Sequence, residues 1–361
     1  MENYNPLNPE VKSTGGGNYR VNPINEKYQA FHQCEKNPQQ NSRNYVEEDL
    51  YGEDDESFDV TELPNKSFQL RMSVPTPLFG NIIGKRGATI KKLRADTDTK
   101  IDVPNGHRSN EKVVVTGSSR QKVCQAARRI NQIISDGKRN MRPTHFVGIP
   151  LNVSPIKENF EEFKKFLLND QRFLHIDEIL YQDSNLLHLT FDVFPLLDTE
   201  ERLLAVDTLK KCDEAVKKYI QENCPDGKVR VHMKGIDIFS DEDGSSVSVL
   251  FGKINPECKA IQDIANIISA TFKGAGVSVE KRNNPTEVRL HCTLINNGFI
   301  KRADDSNEKF KTRQRFNASK ILEEFKDYDF GEIELSEIHI SQMGTKGING
   351  FYEASSVLKF L

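Results

Sequence analysis

Leu187-His188-Leu189-Thr190-Phe191 recurs 103 residues further on as Leu290-His291-Cys292-Thr293-Leu294. Both copies read apolar-His-x-Thr-apolar, inside stretches whose alternation predicts strands over 187–193 and 287–295. On a strand, side chains at i and i+2 share one face about 6.5–7 Å apart, so each histidine points the same way as its threonine. Two such strands side by side bring two imidazoles and two hydroxyls into one cleft. That set suits attack on a phosphate. Imidazole titrates near neutrality, so one ring takes a proton from the nucleophile while the other protonates the leaving oxygen. The threonine hydroxyls hydrogen-bond the non-bridging oxygens, where charge gathers in the transition state. This chemistry needs no metal and no other cofactor. A single His-x-Thr would say little; the specificity lies in the duplication.

Around the two motifs the periods predict an α+β region. Strands are expected at 145–151, 229–239, 247–254, 333–342 and 351–360, and helices at 160–168, 199–223, 258–272 and 318–325. With His188, Thr190, His291 and Thr293 as the matching residues, the region from about 142 to 361 resembles the two-histidine (2H) phosphoesterase superfamily. The resemblance implies a bilobal, LigT-like α+β fold in which each lobe gives one His-x-Thr strand to a central groove. It implies, as a class of chemistry, cleavage or resolution of 2′,3′-cyclic phosphates, 2′–5′ linkages or RNA 3′ ends. His145, in the first strand of this region, is a candidate to line the groove. His175, His232 and His339 read as structural or surface residues, and Lys301-Arg302 as a solvated pair close enough to help hold a phosphate.

Upstream, Ile82-Ile83-Gly84-Lys85-Arg86-Gly87 sets two cations between two glycines at a junction of short helices. Glycine turns the backbone sharply there and lets a sugar-phosphate chain approach with no Cβ in the way. The N–H groups opening the next helix favour an anion. Lys85 and Arg86 are expected to face phosphates, with Ile82 and Ile83 helping to floor the groove. The flanking periods predict a strand at 67–74, helices at 76–83 and 88–97, strands at 100–103 and 112–116, and a helix at 120–135. Val123, Ala127, Ile130 and Ile134 make the apolar face of that last helix. This β-α-α-β-β-α order with its loop resembles a type I KH domain, which implies a grip on about four single-stranded nucleotides. RNA is the expected partner ahead of single-stranded DNA, by a small margin, since Phe79 is the sole aromatic beside the loop.

Charge follows the same division. Residues 1–64 carry 5 Lys and Arg against 13 Asp and Glu, a net of −8; 65–139 carry 16 against 5, a net of +11; 140–361 carry 29 against 35, a net of −6. A strongly basic stretch between two acidic ones is the footprint expected for phosphate backbones. Three parts are therefore expected: an acidic, disordered leader over 1–64, a KH domain over 65–139 and a 2H domain over 140–361. Six scattered cysteines without a Cys-x-x-Cys pair point to reduced thiols and away from disulfides or zinc. No run reaches the roughly 18 apolar residues of a membrane span. The opening MENYNPLNPE has neither a basic nor an apolar signal region, so no secretory signal is expected.

Within the leader, Asn18, Tyr19, Arg20, Asn22, Pro23 and Ile24 mix an aromatic, a cation and an aliphatic in a polar setting, the makings of a linear docking motif. A KH module followed by a 2H domain, behind this Asn-Tyr-Arg-x-Asn-Pro leader, resembles the KH-plus-2H subunit family of the activating signal cointegrator 1 complex. That resemblance implies a nucleus-located protein beside helicase and zinc-finger coactivator subunits, in transcriptional coactivation and DNA alkylation repair. Two readings stay open: an RNA phosphodiesterase, or a non-catalytic RNA-binding adaptor whose groove only recognises phosphate ends.

Overall fold

The computed structural model describes residues 11–14, 17–20, 58–104, 112–278, 287–299 and 315–360. Within the leader the described residues 11–14 and 17–20 form two short strands. Strands β1 (Val11–Thr14) and β2 (Gly17–Arg20) pair antiparallel, with Val11 opposite Arg20. They are separated in sequence by Gly15 and Gly16, a pair that short hairpin connections favour. A further short strand, β3 (Thr61–Glu62), pairs with β4 (Phe68–Met72).

After β4 come α1 (Phe79–Ile83), α2 (Ala88–Thr97), β5 (Thr99–Asp102), β6 (Val113–Gly117) and α3 (Arg120–Arg139). The β-α-α-β-β-α order is the one expected, and the sheet runs β3-β4-β6-β5. On α3, Val123, Ala127 and Ile130 are fully buried and Ile134 half-buried, as their spacing requires. The helix outlasts the expected 120–135 and ends on Lys138 and Arg139, cations that suit a helix C-terminus. Residues 105–111, between β5 and β6, lie outside the described residues.

Among the described residues, the second region has two four-stranded antiparallel sheets. It begins with β7 (His145–Pro150), α4 (Ile156–Asn169), β8 (His188–Phe194) and α5 (Thr199–Asn223). Then follow β9 (Val229–Ile238), β10 (Val249–Ile254), α6 (Lys259–Gly274), β11 (Cys292–Asn296), α7 (Ser319–Glu324), β12 (Asp329–Leu335), β13 (Glu337–Lys346) and β14 (Tyr352–Lys359). One sheet runs β14-β13-β7-β8, the other β11-β10-β9-β12. A continuous core joins both lobes, from Val147, Leu189 and Ile340 to Leu250, Leu294 and Ile333. Helix α4 starts four residues ahead of the expected 160, because Ile156 joins Phe160, Phe163 and Leu167 on its buried stripe. Each of these fully buried side chains contributes about 1.5–3 kcal/mol relative to exposure.

The single strand expected over 333–342 is in fact two. β12 pairs with β9 in one sheet, and β13 pairs with β7 and β14 in the other. Buried apolar positions fall on Ile333 and Leu335, then on Ile338 and Ile340, so the apolar alternation slips by one at Ser336 where the chain changes lobes. Among the described residues no helix is long and apolar enough to cross a membrane.

Candidate functional site: the paired histidine groove and the glycine loop

Strand alternation decides what the two motifs present. Along β8 His188 and Thr190 are half-buried while Leu189 and Phe191 are buried in the core. Around β11 His291 and Thr293 are half-buried while Cys292 and Leu294 are fully buried. His291 stands just ahead of its strand, which is shorter than the expected 287–295. The backbone of Val288 is engaged elsewhere: its N–H donates to Asn266 Oδ1 at 2.9 Å, and its carbonyl accepts from Gln262 Nε2 at 2.8 Å.

The two motif strands are edge strands brought side by side. The Cys292 thiol lies against the backbone of His188, and burial pushes that thiol up to about 12. Tyr181 forms a bridge with Ile295, and the Gln182 N–H donates to the Leu294 carbonyl at 2.8 Å. Gly148 sits opposite Thr190, and a Cβ there would lie 2.0 Å from the Leu189 carbonyl oxygen. Only glycine allows so close a pairing of β7 with β8.

Each imidazole is held by the same local device. His188 Nδ1 lies 2.7 Å from the Leu186 carbonyl, and His291 Nδ1 lies 2.8 Å from the Arg289 carbonyl. A carbonyl only accepts, so Nδ1–H donates in both rings and Nε2 is left as the free nitrogen. Burial, with the charge on His291 added, pushes His188 down to about 4, against its bond to the Leu186 carbonyl. The two rings therefore stand within electrostatic reach of one another. Burial also holds His291 below the usual imidazole range; the Arg289 carbonyl opposes that shift and the Arg289 charge adds to it.

Aromatic rings flank both histidines. Phe146 and Tyr352 lie 4.7 and 5.3 Å from His188, and Phe239 and Phe251 each lie 5.4 Å from His291. In each lobe one ring is buried (Phe146, Phe251) and one half-open (Tyr352, Phe239). The Arg289 guanidinium stacks over Phe239 and Phe251, at 4.7 and 5.5 Å from their centroids. These five residues escaped the sequence reading. Four come from segments far from either motif, and the one local signal was a cation two residues before His291. The Thr190 and Thr293 hydroxyls have no protein hydrogen bond among the described residues, so both are open to a bound oxyanion.

The remaining histidines take other places. His145 is buried, with Nδ1 2.8 Å from Thr144 Oγ1, and burial and the Arg202 charge lower it. On β7 it is Phe146, its neighbour, that touches His188, so His145 does not line the groove beside that ring. His175 lies 2.9 Å from the Asn317 carbonyl, His232 from Asp329 Oδ1 at 2.9 Å and His339 from Glu337 Oε1 at 2.8 Å. Lys301 and Arg302 lie outside the described residues. Among the described residues no group of three or more His, Cys, Asp or Glu is placed to hold a metal ion.

In the glycine loop, Gly84 has φ 70° and a Cβ there would sit 2.0 Å from Thr89 Oγ1. Gly87 has φ 76°, and Arg86 itself takes φ 53°, rare for a residue with a side chain. Lys85 and Arg86 are exposed, as expected of phosphate contacts. Ile82 is not a groove residue: it is fully buried, and only Ile83, at 37% exposure, faces out. Phe79 is buried too, so it offers no stacking face. Of the docking motif, Asn18, Tyr19 and Arg20 lie on β2, while Asn22, Pro23 and Ile24 lie outside the described residues.

Residues 143–360 match the family described as the AKAP7 2′5′ RNA ligase-like domain, and residues 69–132 match the KH domain. The chain is 29% identical to mouse activating signal cointegrator 1 complex subunit 1, over 98% of this chain and 99% of the relative. Rat vigilin is 40% identical over 78 residues, which cover 21% of this chain and 6% of vigilin. The solution structure of the first type I KH domain of human vigilin aligns over 26% of this chain and 97% of its own, at 21% identity and a TM-score of 0.21. The crystal structure of E. coli LigT complexed with 3′-AMP aligns over 60% of this chain and 97% of its own, at 14% identity and a TM-score of 0.33. The α+β class, a type I KH domain followed by a 2H phosphoesterase-like domain, stands as expected.

Proposed function

Because the chain belongs to the AKAP7 2′5′ RNA ligase-like domain family, we propose that it is an RNA phosphodiesterase whose KH domain holds single-stranded RNA while the His188–His291 groove acts on a phosphodiester or phosphate end. One observation carries this reading: both histidines are pinned through Nδ1 to the carbonyl two residues back, at the starts of strands brought side by side, leaving Nε2 without a partner among the described residues. One Nε2 accepts the proton of the attacking hydroxyl, a ribose 2′-OH or water, as its oxygen bonds to phosphorus. The other, protonated, gives its proton to the departing oxygen as that bond breaks. Thr190 and Thr293 donate to the non-bridging oxygens, and the nearby Arg289 charge favours the anion.

Short oligoribonucleotides ending in a 2′,3′-cyclic phosphate, a 3′-hydroxyl or a 2′–5′ linkage test the reading. Turnover of at least one, undiminished by EDTA, is expected. Binding without turnover on all three would leave the adaptor reading in its place. Replacing Lys85 and Arg86 together with Asp should weaken single-strand binding and flatten its salt dependence by about 0.7 per lost contact. Unchanged affinity at equal helical content would remove the glycine loop from the interface.

The end-to-end likeness to the mouse cointegrator subunit supports a wider assignment: a nuclear subunit of such a complex, with its leader docking onto helicase or zinc-finger partners. Deletion of residues 1–23 should then abolish partner co-purification while leaving thermal stability nearly unchanged.

A further inference from the structure

We infer that Asp183, outside both motifs, is the positioning residue for His188, joining its carbonyl anchor to the β13–β14 hairpin; the inference rests on the catalytic reading above. The anchor of His188 is the Leu186 carbonyl, and Leu186 closes the 3₁₀ turn Ser184–Leu186. Asp183 caps that turn. Its Oδ1 accepts from the Asn185 N–H and from Asn185 Nδ2, both at 3.0 Å, and its carbonyl accepts from the Leu186 N–H at 2.8 Å. The direction of the Leu186 carbonyl, and with it the Nδ1–H tautomer of His188, therefore depends on Asp183.

The other carboxylate oxygen works sideways. Oδ2 accepts from Lys346 Nζ at 2.7 Å, and Lys346 on β13 is paired with Tyr352 on β14. The Tyr352 ring lies edge-on to His188 and to Phe146, at 5.3 and 5.1 Å. Just upstream, the Gln182 N–H donates to the carbonyl of Leu294, the residue after Thr293. One carboxylate thus sets His188 from its carbonyl side and its ring side, from a segment hung on the partner motif. Burial pulls Asp183 upward, but the bonds from Lys346 and Asn185 outweigh it and keep the carboxyl ionised. The pair with Lys346 is part-exposed, with side chains 58% and 34% accessible. Such a pair adds little to stability, so its consequence is geometric. For His291 the anchor is the Arg289 carbonyl, and no carboxylate caps it among the described residues.

The test uses the full chain with ¹⁵N-labelled histidine, His188→Ala assigning the signal. In the wild-type protein His188 should show a single Nδ1–H tautomer. In Asp183→Ala its two nitrogen shifts should move toward a tautomer mixture while those of His291 hold. kcat should fall about 10- to 100-fold, the range for losing a partner that fixes a histidine tautomer, with KM within about twofold. An unmoved His188 tautomer in folded Asp183→Ala overturns the inference whatever the activity. A moved tautomer in a protein that turns over none of the substrates sustains the inference and refutes the catalytic reading instead. Lys346→Met keeps the carboxylate and covers the case in which Asp183→Ala does not fold. Release of the hairpin should shift the His188 ring protons through Tyr352, and unmoved shifts overturn the inference.

Discussion

The His188 lobe and the His291 lobe solve one problem with unlike means. Each holds an imidazole by a carbonyl two residues back and presses it between a buried and a half-open aromatic ring. Around that common plan the surroundings diverge. The first lobe fixes its anchor with a capped turn and a pinned hairpin, through Asp183 and Lys346. The second sets a cation beside its histidine, Arg289 stacked on two phenylalanines. The more deeply desolvated His188 is the stronger candidate for a neutral base; His291, nearer the cation, is placed to meet an anion. Two copies of a motif thus need not be two copies of a role.

The bluntest way to break the comparison is to remove each ring. His188→Ala and His291→Ala should each cost about 10²–10⁴ in rate, the range for losing a general acid or base. The double variant should lose little more, since an acid–base pair acts as a unit. Single-turnover kinetics on the best of the three oligoribonucleotides checks this. Multiplying penalties would mean that the lobes work independently.

A smaller effect separates the scaffolds. Gly148→Ala puts a Cβ 2.0 Å from the backbone oxygen of Leu189, which the strand pairing holds in place. Gly252, opposite Cys292 in the other lobe, would meet the flexible Met233 side chain, 2.9 Å from Sδ. Overpacking that the structure cannot relieve costs about 1–3 kcal/mol, and relief by a mobile side chain brings the cost below that. Urea unfolding should rank Gly148→Ala as the more damaging of the two. Equal losses would mean that the lobes have the same tolerance.

What the sequence makes legible here, and what it hides, follows from the range of the interactions. The period of two in Leu187–Phe191 carried both the strand and the direction of its histidine, because alternation is a local property. The glycine loop was readable for the same reason: Gly84 needs its positive φ within one turn of chain. Phe146, Tyr352, Phe239 and Phe251 were hidden because their nearness to the histidines exists only after distant strands pair. Asp183 was hidden twice, as an ordinary turn residue whose partner Lys346 is 163 residues away. The lobe change at Ser336 leaves only a phase slip in the pattern, and a single polar residue between apolar strands also reads as continuation. Ile82 shows the reverse error, a local motif position assigned to the ligand when the core needs it.

The finest distinction between the lobes lies in pH. Burial depresses both imidazoles, His188 down to about 4 and His291 by less. A group whose charged form is disfavoured gives up its proton at lower pH, so in the free protein the last proton to leave rests on His291. The active state needs one ring protonated and one neutral. kcat/KM should therefore be bell-shaped, with its acid limb set by His188 and its alkaline limb by His291, and its maximum below the ordinary imidazole value of about 6.5. In the complex the bound phosphate's charge favours the protonated ring, so kcat should stay high further into the alkaline range. Arg289→Met separates the two limbs. A thioether still packs on Phe239 and Phe251, but the positive charge that lowers His291 is gone, so His291 must rise. The alkaline limb of kcat/KM should move to higher pH while the acid limb stays. An acid limb that moves instead would assign the last proton to His188 and exchange the roles of base and acid between the lobes.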